Sequence, residues 1–251
     1  MIFRSARFRK PLALLFVFPL AVICHAEPNA EAILRAARIN PLGQNIALKA
    51  QLRADSITTP FQIVVDSAVH YRFENPDQEL ILELRDDSAS LSERAGGKTA
   101  AVRAARFDDP VRGTGITYED LSLGFLYWRD PKILGEETIR TRKAWKIELQ
   151  AGRNSSQYGV ARLWIDQESG ALLRIEGYNK DGRLRRRFEV VSAQKIDGQW
   201  MLKQMRVETL DPETGKIVNR TYLEVLGKSS AEAGRALRRN RVRPVTRFDR
   251  V

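Results

Sequence analysis

From Asn45 onward, apolar and polar residues alternate one for one: Ile46, Leu48, Ala50 and Leu52 fall on one side of an extended chain, and Ala47, Lys49, Gln51 and Arg53 on the other. The period of two continues through 61–66, 68–74 and 79–85, with Val69, Tyr71 and Phe73 set against His70, Arg72 and Glu74. Such alternation predicts half-buried antiparallel strands. Lys143 to Leu149 reads as a further strand. Beyond it, Asp181-Gly182 and Asp197-Gly198 sit between alternating runs, where a hairpin needs positive φ without strain at Cβ. With looser turn sequences at 167–170 and 211–215, residues 158–226 predict a five-strand meander.

Two segments depart from this period. Glu31 to Arg38 follow Pro28-Asn29, with Asn29 placed to cap and Ala32, Ile33 and Ala36 on one stripe, which predicts a short amphipathic helix. In "GTGITYEDLSLGFLYWRDP", Thr117-Tyr118-Glu119-Asp120 has capping-box spacing, and Tyr118, Leu121 and Phe125 recur at helical intervals. A helix from Tyr118 to Trp128 is expected, ending before Pro131.

The later strands carry arginine and acid on one face (Arg174 and Glu176, Arg187 and Glu189, Arg206 and Glu208, Arg220 and Glu224), which reads as a solvated surface of weak exposed pairs. The other face carries Leu163, Ile165, Leu173, Ile175, Phe188, Val190, Met205, Val207, Leu223 and Val225. About ten strands with one apolar face each cannot be covered by two short helices. The sheet must curl, pack as a sandwich, or leave an apolar concavity.

The chain has 251 residues and a formal net charge of +11. Its first 26 residues join a basic start (Arg4, Arg7, Arg9, Lys10) to an apolar run from Leu12 to Ile23, and end in Cys24-His25-Ala26. This predicts a secretory signal peptide cleaved after Ala26, hence export; lipidation at Cys24 is the alternative. Cys24 is the single cysteine, so the remaining 27–228 domain must be stable without a disulfide. A basic stretch from Arg235 to Arg250 within 229–251 lacks apolar periodicity and reads as a flexible tail, either merely solvated or able to meet an anionic phospholipid surface. Nucleic acid is not an expected partner of an exported protein.

Little in the sequence points to catalysis. His70 is the one histidine after residue 26, lies on a polar strand face, and reads as an ordinary surface residue. The acids show no pairing that marks a glycosidase, and Gly96-Gly97 and Gly113-Thr114-Gly115 read as loops rather than phosphate cradles. No cofactor or metal is expected, and the chain reads as a non-enzyme. Trp164, Trp200, Tyr178 and Tyr222 read as strand packing rather than cavity lining.

"ITYEDLSLGFLYW", "RLWIDQESGALLRIEGYNKDGRLRRRFEVVSAQKIDGQWMLKQMRVET" and "GKIVNRTYLEVLG" resemble the bacterial outer-membrane lipoprotein-sorting protein family, in a poorly characterised branch of its LolA-like group. The likeness spans roughly residues 40–227. It implies a mainly β fold, a curved unclosed antiparallel half-barrel with a few covering helices, located in the periplasm. It also implies an apolar interior that receives lipid or the acyl chains of lipoproteins. The residues that would line it are Tyr71, Phe73, Tyr118, Leu121, Phe125, Trp128, Leu163 and Ile165. The arginine that holds the lid in the family's carriers has no motif counterpart here. The Trp-Ile-Asp region also resembles the lipid-sensing domain of envelope-stress regulators, which leaves an interaction or signalling module with a self-filled core as the alternative function.

Overall fold

The computed structural model describes residues 29–39, 45–55, 57–152 and 156–229. The predicted signal peptide, Cys24 and the Arg235 to Arg250 tail lie outside the described residues. Among the described residues thirteen strands form one antiparallel sheet: β1 (Ile46–Ala54), β2 (Ile57–Val65), β3 (Val69–Phe73), β4 (Gln78–Leu84), β5 (Ala89–Ala95), β6 (Lys98–Ala101), β7 (Lys132–Ile139), β8 (Arg142–Gln150), β9 (Val160–Asp166), β10 (Leu172–Tyr178), β11 (Leu184–Ile196), β12 (Gln199–Leu210) and β13 (Ile217–Lys228).

The order β6-β5-β4-β3-β2-β1-β13-β12-β11-β10-β9-β8-β7 is a pair of meanders joined through β1 and β13. The two edges, β6 and β7, are consecutive in the chain. Among the described residues no ladder joins them, so the sheet stays unclosed, and the connection 102–131 links its two edges. That connection holds helix α2 (Tyr118–Ser122), and helix α1 is Ala30–Ile39. As the sequence predicts, Asn29 caps α1, its Oδ1 accepting from the amides of Glu31 (3.0 Å) and Ala32 (3.3 Å).

Alternation decides which face is inside. Cross-strand neighbours Leu52, Phe61, Phe73, Leu80, Leu163, Ile147 and Ile175 all belong to one cluster, although they come from strands far apart in the sheet. Curvature brings them together, and α1, α2 and the 3-10 turn Gly124–Tyr127 add Leu34, Tyr118, Leu121, Phe125 and Leu126. One expected inward residue is misplaced. The β9–β10 ladder shifts register between Leu172 and Arg174, so Leu172 joins the main core while Leu173 packs outside with Ile139, Ala144 and Trp164.

Candidate functional site

The antiparallel order gives the sheet two distinct ends. One carries the turns 74–77, 96–97, 179–183 and 211–216 together with α2; the other carries 66–68, 85–88, 140–141, 167–171 and 197–198.

At the first end, α2 is a plug fixed by each residue of its Tyr-Glu-Asp-Leu block in turn. Thr117 and Asp120 form the expected capping box: Thr117 Oγ1 accepts from Asp120 N (3.3 Å), and Asp120 Oδ2 accepts from Thr117 N (2.9 Å). Tyr118 Oη donates to Glu93 Oε1 (3.1 Å) and accepts from Gln78 Nε2 (3.0 Å) and Arg106 Nη2 (2.8 Å), with the Arg106 guanidinium over its ring. Glu119 accepts from Ser156 Oγ and from Gln157 N (3.0 Å), and burial pushes its carboxyl above the usual range. Asp120 accepts from Tyr158 Oη (2.6 Å) and faces Arg186 Nη1 at 3.4 Å. Arg186, 4% exposed on β11, also donates to Thr209 Oγ1 and to the Gly115 carbonyl. Leu121 completes the block by entering the core. This many hydrogen bonds from different elements to one short helix fix its orientation, although Arg186 Nε and Gln157 Oε1 are buried without a partner.

The helix predicted to reach Trp128 stops at Ser122. Leu123 takes left-handed φ of 51°, while Ser122 Oγ donates back to the Glu119 carbonyl and accepts from Gly124 N, drawing the backbone out of the helical ladder. Gly124–Tyr127 then makes a 3-10 turn that delivers Phe125, 3% exposed, to the core by a route that helical spacing did not describe. The turn runs to the second end, where α1 holds it. Arg38 Nε and Nη2 both donate to the Leu126 carbonyl (2.8 and 2.6 Å), Nη1 donates to Glu31, and the guanidinium lies 4.7 Å from the Tyr127 ring centre.

Packing differs between the ends. Near the plug, Leu163, Ile147, Leu149 and Leu80 are fully buried. Toward the second end, Trp145, Leu172, Met205, Met201, Leu202 and Ile196 on β8 to β12 are only partly buried against the core, facing the side where Ile33, Tyr127 and Trp128 are likewise half-covered. The apolar cluster thus has a partly exposed rim along β8 to β12 at the second end, while Leu34, Leu48, Leu82 and Leu84 keep the rest of that end buried.

This architecture is that of known structures. A domain from Vibrio parahaemolyticus assigned to outer membrane lipoprotein sorting superposes with a TM-score of 0.63 at 14% identity, covering 78% of this chain and 90% of that one. A DUF1329 family protein from Desulfovibrio piger gives 0.58 at 19% identity (80% and 95% covered), and a LolA superfamily protein from Nitrosomonas europaea gives 0.57 at 16% (79% and 91%). The fold is LolA-like. No curated protein matches the sequence. A family model described as "Uncharacterized protein" matches residues 95–227, more than half of the chain. The chain belongs to that family.

The matched region of this LolA-like fold contains the whole plug except Gln78 and Glu93. It also explains the Trp-Ile-Asp block. Trp164 faces outward and donates from Nε1 to Glu137 Oε2 (2.7 Å), Ile165 faces the core, and Asp166 secures the following turn. Asp166 accepts from Ser169 N and Oγ (2.7 Å each) and, in a fork, from Arg142 Nε and Nη2 (2.8 and 2.7 Å), which holds its carboxyl well below the usual range.

Of the residues expected to line a cavity, Tyr71, Phe73, Tyr118, Leu121, Phe125, Leu163 and Ile165 are buried in the main cluster, and Trp128 is partly buried against it. They surround one interior, with Tyr118 on the plug and Trp128 beyond the 3-10 turn. Tyr71 is buried deeply enough for its phenol pKa to be pushed up to about 12. The sequence reading missed Arg38, Tyr158 and Arg186. Arg38 had a usable signal, a basic residue ending an amphipathic helix.

Two surface readings change. The acids of the charged face are covered: Glu208 is 2% exposed beneath Arg187, Arg206 and Arg220, and Glu189 lies under Arg174, Arg140 and Arg206. Arginine stems lie over the carboxylates, so this face is a layered network rather than a set of solvated pairs. His70 is likewise no bare surface residue, since its ring stands between Glu79 (3.0 Å) and Asp66 (3.3 Å).

Proposed function

We propose that this chain is a non-catalytic periplasmic protein that binds lipid, or the acyl chains of lipoproteins, and carries them in the bacterial envelope. The observation behind this reading is the asymmetry of the interior. Polar bonds to Asp120, Glu119 and Tyr118 hold one end shut, while at the other a rim of Trp145, Leu172, Met201 and Met205 is only partly buried. Flexible methionines suit an adaptable apolar contact, and each methylene buried there contributes about 0.8 kcal/mol. The lipoprotein-sorting assignment of the Vibrio domain accords with such cargo. Tyr71, Phe73, Tyr118, Leu121, Phe125, Trp128, Leu163 and Ile165 form the wall toward which a chain entering at the rim would extend.

The second reading is a module with a self-filled core. The aromatic packing of Phe61 against Phe73 (5.0 Å between ring centres) and Tyr71 (6.4 Å) favours it. Mass spectrometry of an organic extract of the purified protein, together with titration by a fluorescent fatty-acyl probe, separates the two. Under the carrier reading wild type binds the probe, Phe125→Ala binds it more weakly with the fold retained, and Phe125→Asp does not bind. A wild type without lipid or probe binding, alongside a Phe125→Ala loss of about 3 to 5 kcal/mol in stability, overturns the carrier reading.

A further inference from the structure

The β11–β12 hairpin outruns β10, while β13 keeps beside it as far as Lys228. The β12–β13 ladder begins at Gln204 and Glu224, and the β10–β11 ladder ends at Arg174 and Glu189, yet β11 and β12 stay paired to Ile196 and Gln199. The arm therefore continues roughly 15 Å past the β12–β13 ladder and roughly 23 Å past the β10–β11 ladder, at a rise of about 3.3 Å per residue, with the end of β13 still alongside it. It is not loose. Gln194 Nε2 donates to the Val225 carbonyl (3.0 Å), and Lys228 pairs with Asp197 at the tip. Ile196, Met201 and Leu202 rest against the rim of the core.

Trp200 is the exception. It is 69% exposed, the most exposed large hydrophobic side chain among the described residues, and Leu226 on the adjoining end of β13 is 60% exposed. A tryptophan that served hairpin packing would be covered; this one is held outward. Its cross-strand partner Lys195 lies with Nζ 5.2 Å from the ring centre, and Lys203 on the same arm is exposed. An amphipathic ring flanked by lysines matches the interface of a bilayer, where indole sits at headgroup depth and ammonium groups meet lipid phosphates.

We infer that the β11–β12 arm is a membrane-docking element that places Trp200 in the interface of an anionic phospholipid surface. Because the arm lies at the same end as the half-exposed rim, docking turns the rim toward the bilayer. The inference is independent of whether the interior holds an acyl chain, and its test reads membrane contact rather than cargo.

The experiment uses the full mature chain with vesicles of phosphatidylcholine mixed with phosphatidylglycerol. Co-sedimentation is expected to fall about tenfold for Trp200→Ala at unchanged melting temperature, and to be largely retained by Trp200→Phe. Phosphatidylcholine brominated near the headgroup is expected to quench wild-type fluorescence, and Trp200→Ala is expected to remove that quenching. Equal partitioning of wild type and Trp200→Ala overturns the inference, including the case in which the 235–250 segment carries all the binding. Quenching that persists in Trp200→Ala, or a wild type that binds no vesicle, overturns it as well.

Discussion

Tyr158 donates its phenolic hydrogen to Asp120 across 2.6 Å, and both side chains are out of contact with solvent. Asp120 is thereby tied to a residue preceding β9 as well as to Arg186 on β11, so the plug is anchored to the second meander through one carboxylate. Tyr158→Phe leaves that carboxylate short of a donor while changing little volume. The expected loss is about 1 to 3 kcal/mol in chemical denaturation, the range for a buried hydrogen bond to a charged group. Amide exchange in 115–122 should rise more than in β1 to β3.

The Tyr158 ring also needs a glycine beneath it. A Cβ at Gly177 would lie 2.5 Å from Tyr158 Cε1, closer than real contacts allow. Gly177→Ala is expected to cost about 1 to 3 kcal/mol through overpacking, and the loss should shrink in a Tyr158→Ala background, where the ring is gone. Equilibrium denaturation of the double-mutant cycle measures this coupling.

Arg38 is the sole side chain of α1 that bonds the 3-10 turn among the described residues, giving the Leu126 carbonyl two hydrogen bonds. Arg38→Leu keeps much of the apolar stem but removes both donors. Hydrogen exchange at 124–128 should accelerate at least several-fold. If the interior binds acyl probes, probe dissociation should quicken as well, read by stopped-flow fluorescence.

Acid should weaken the joint between β1 and β13. Hydrogen bonds from Arg53 (2.8 Å), Gln51 (2.6 Å) and Gln204 (2.8 Å) hold the Glu224 carboxyl down at about 2, from an ordinary 4.5. A depressed carboxyl contributes stability that is complete above pH 4.5 and is lost as the pH falls toward 2. Arg53 is 42% exposed, and solvent screening limits the effect to roughly 1 kcal/mol. Wild type should exceed Glu224→Gln by that amount at pH 7. The difference should fade between pH 4.5 and 2, as followed by urea midpoints across pH.

Most strands were legible because each buries one face, and a half-buried strand writes its period into the sequence. β5 to β7 were not. Within β6 every residue is exposed, and in β7 most are, since these are the two edges of the sheet and have little interior to meet. Leu172 and Leu173 show a second limit: a bulge exchanges their faces without any change in composition. The capping box was readable from Thr117 and Asp120 alone, because a cap is local. Arg186 and Tyr158, by contrast, gain their role only when β11 and the segment before β9 are brought to Asp120 by the fold. Trp200 shows the opposite case, since a strand tryptophan reads as core, yet its place at the start of β12, past the end of the β12–β13 ladder, leaves it outside.

The strand order also sets how the chain must come together. Among the described residues every ladder but one joins strands that follow each other in sequence, and the exception is β1 with β13, which pairs Leu52 with Leu223. Two meanders can each zip locally, at small loop-closure cost, before they meet. The ordering entropy of the largest loop falls on that single ladder, so docking of the two halves is the step on which the folding rate depends. Substitutions at Gln51, Arg53 or Glu224 should accordingly slow folding more than equally destabilising changes within either meander.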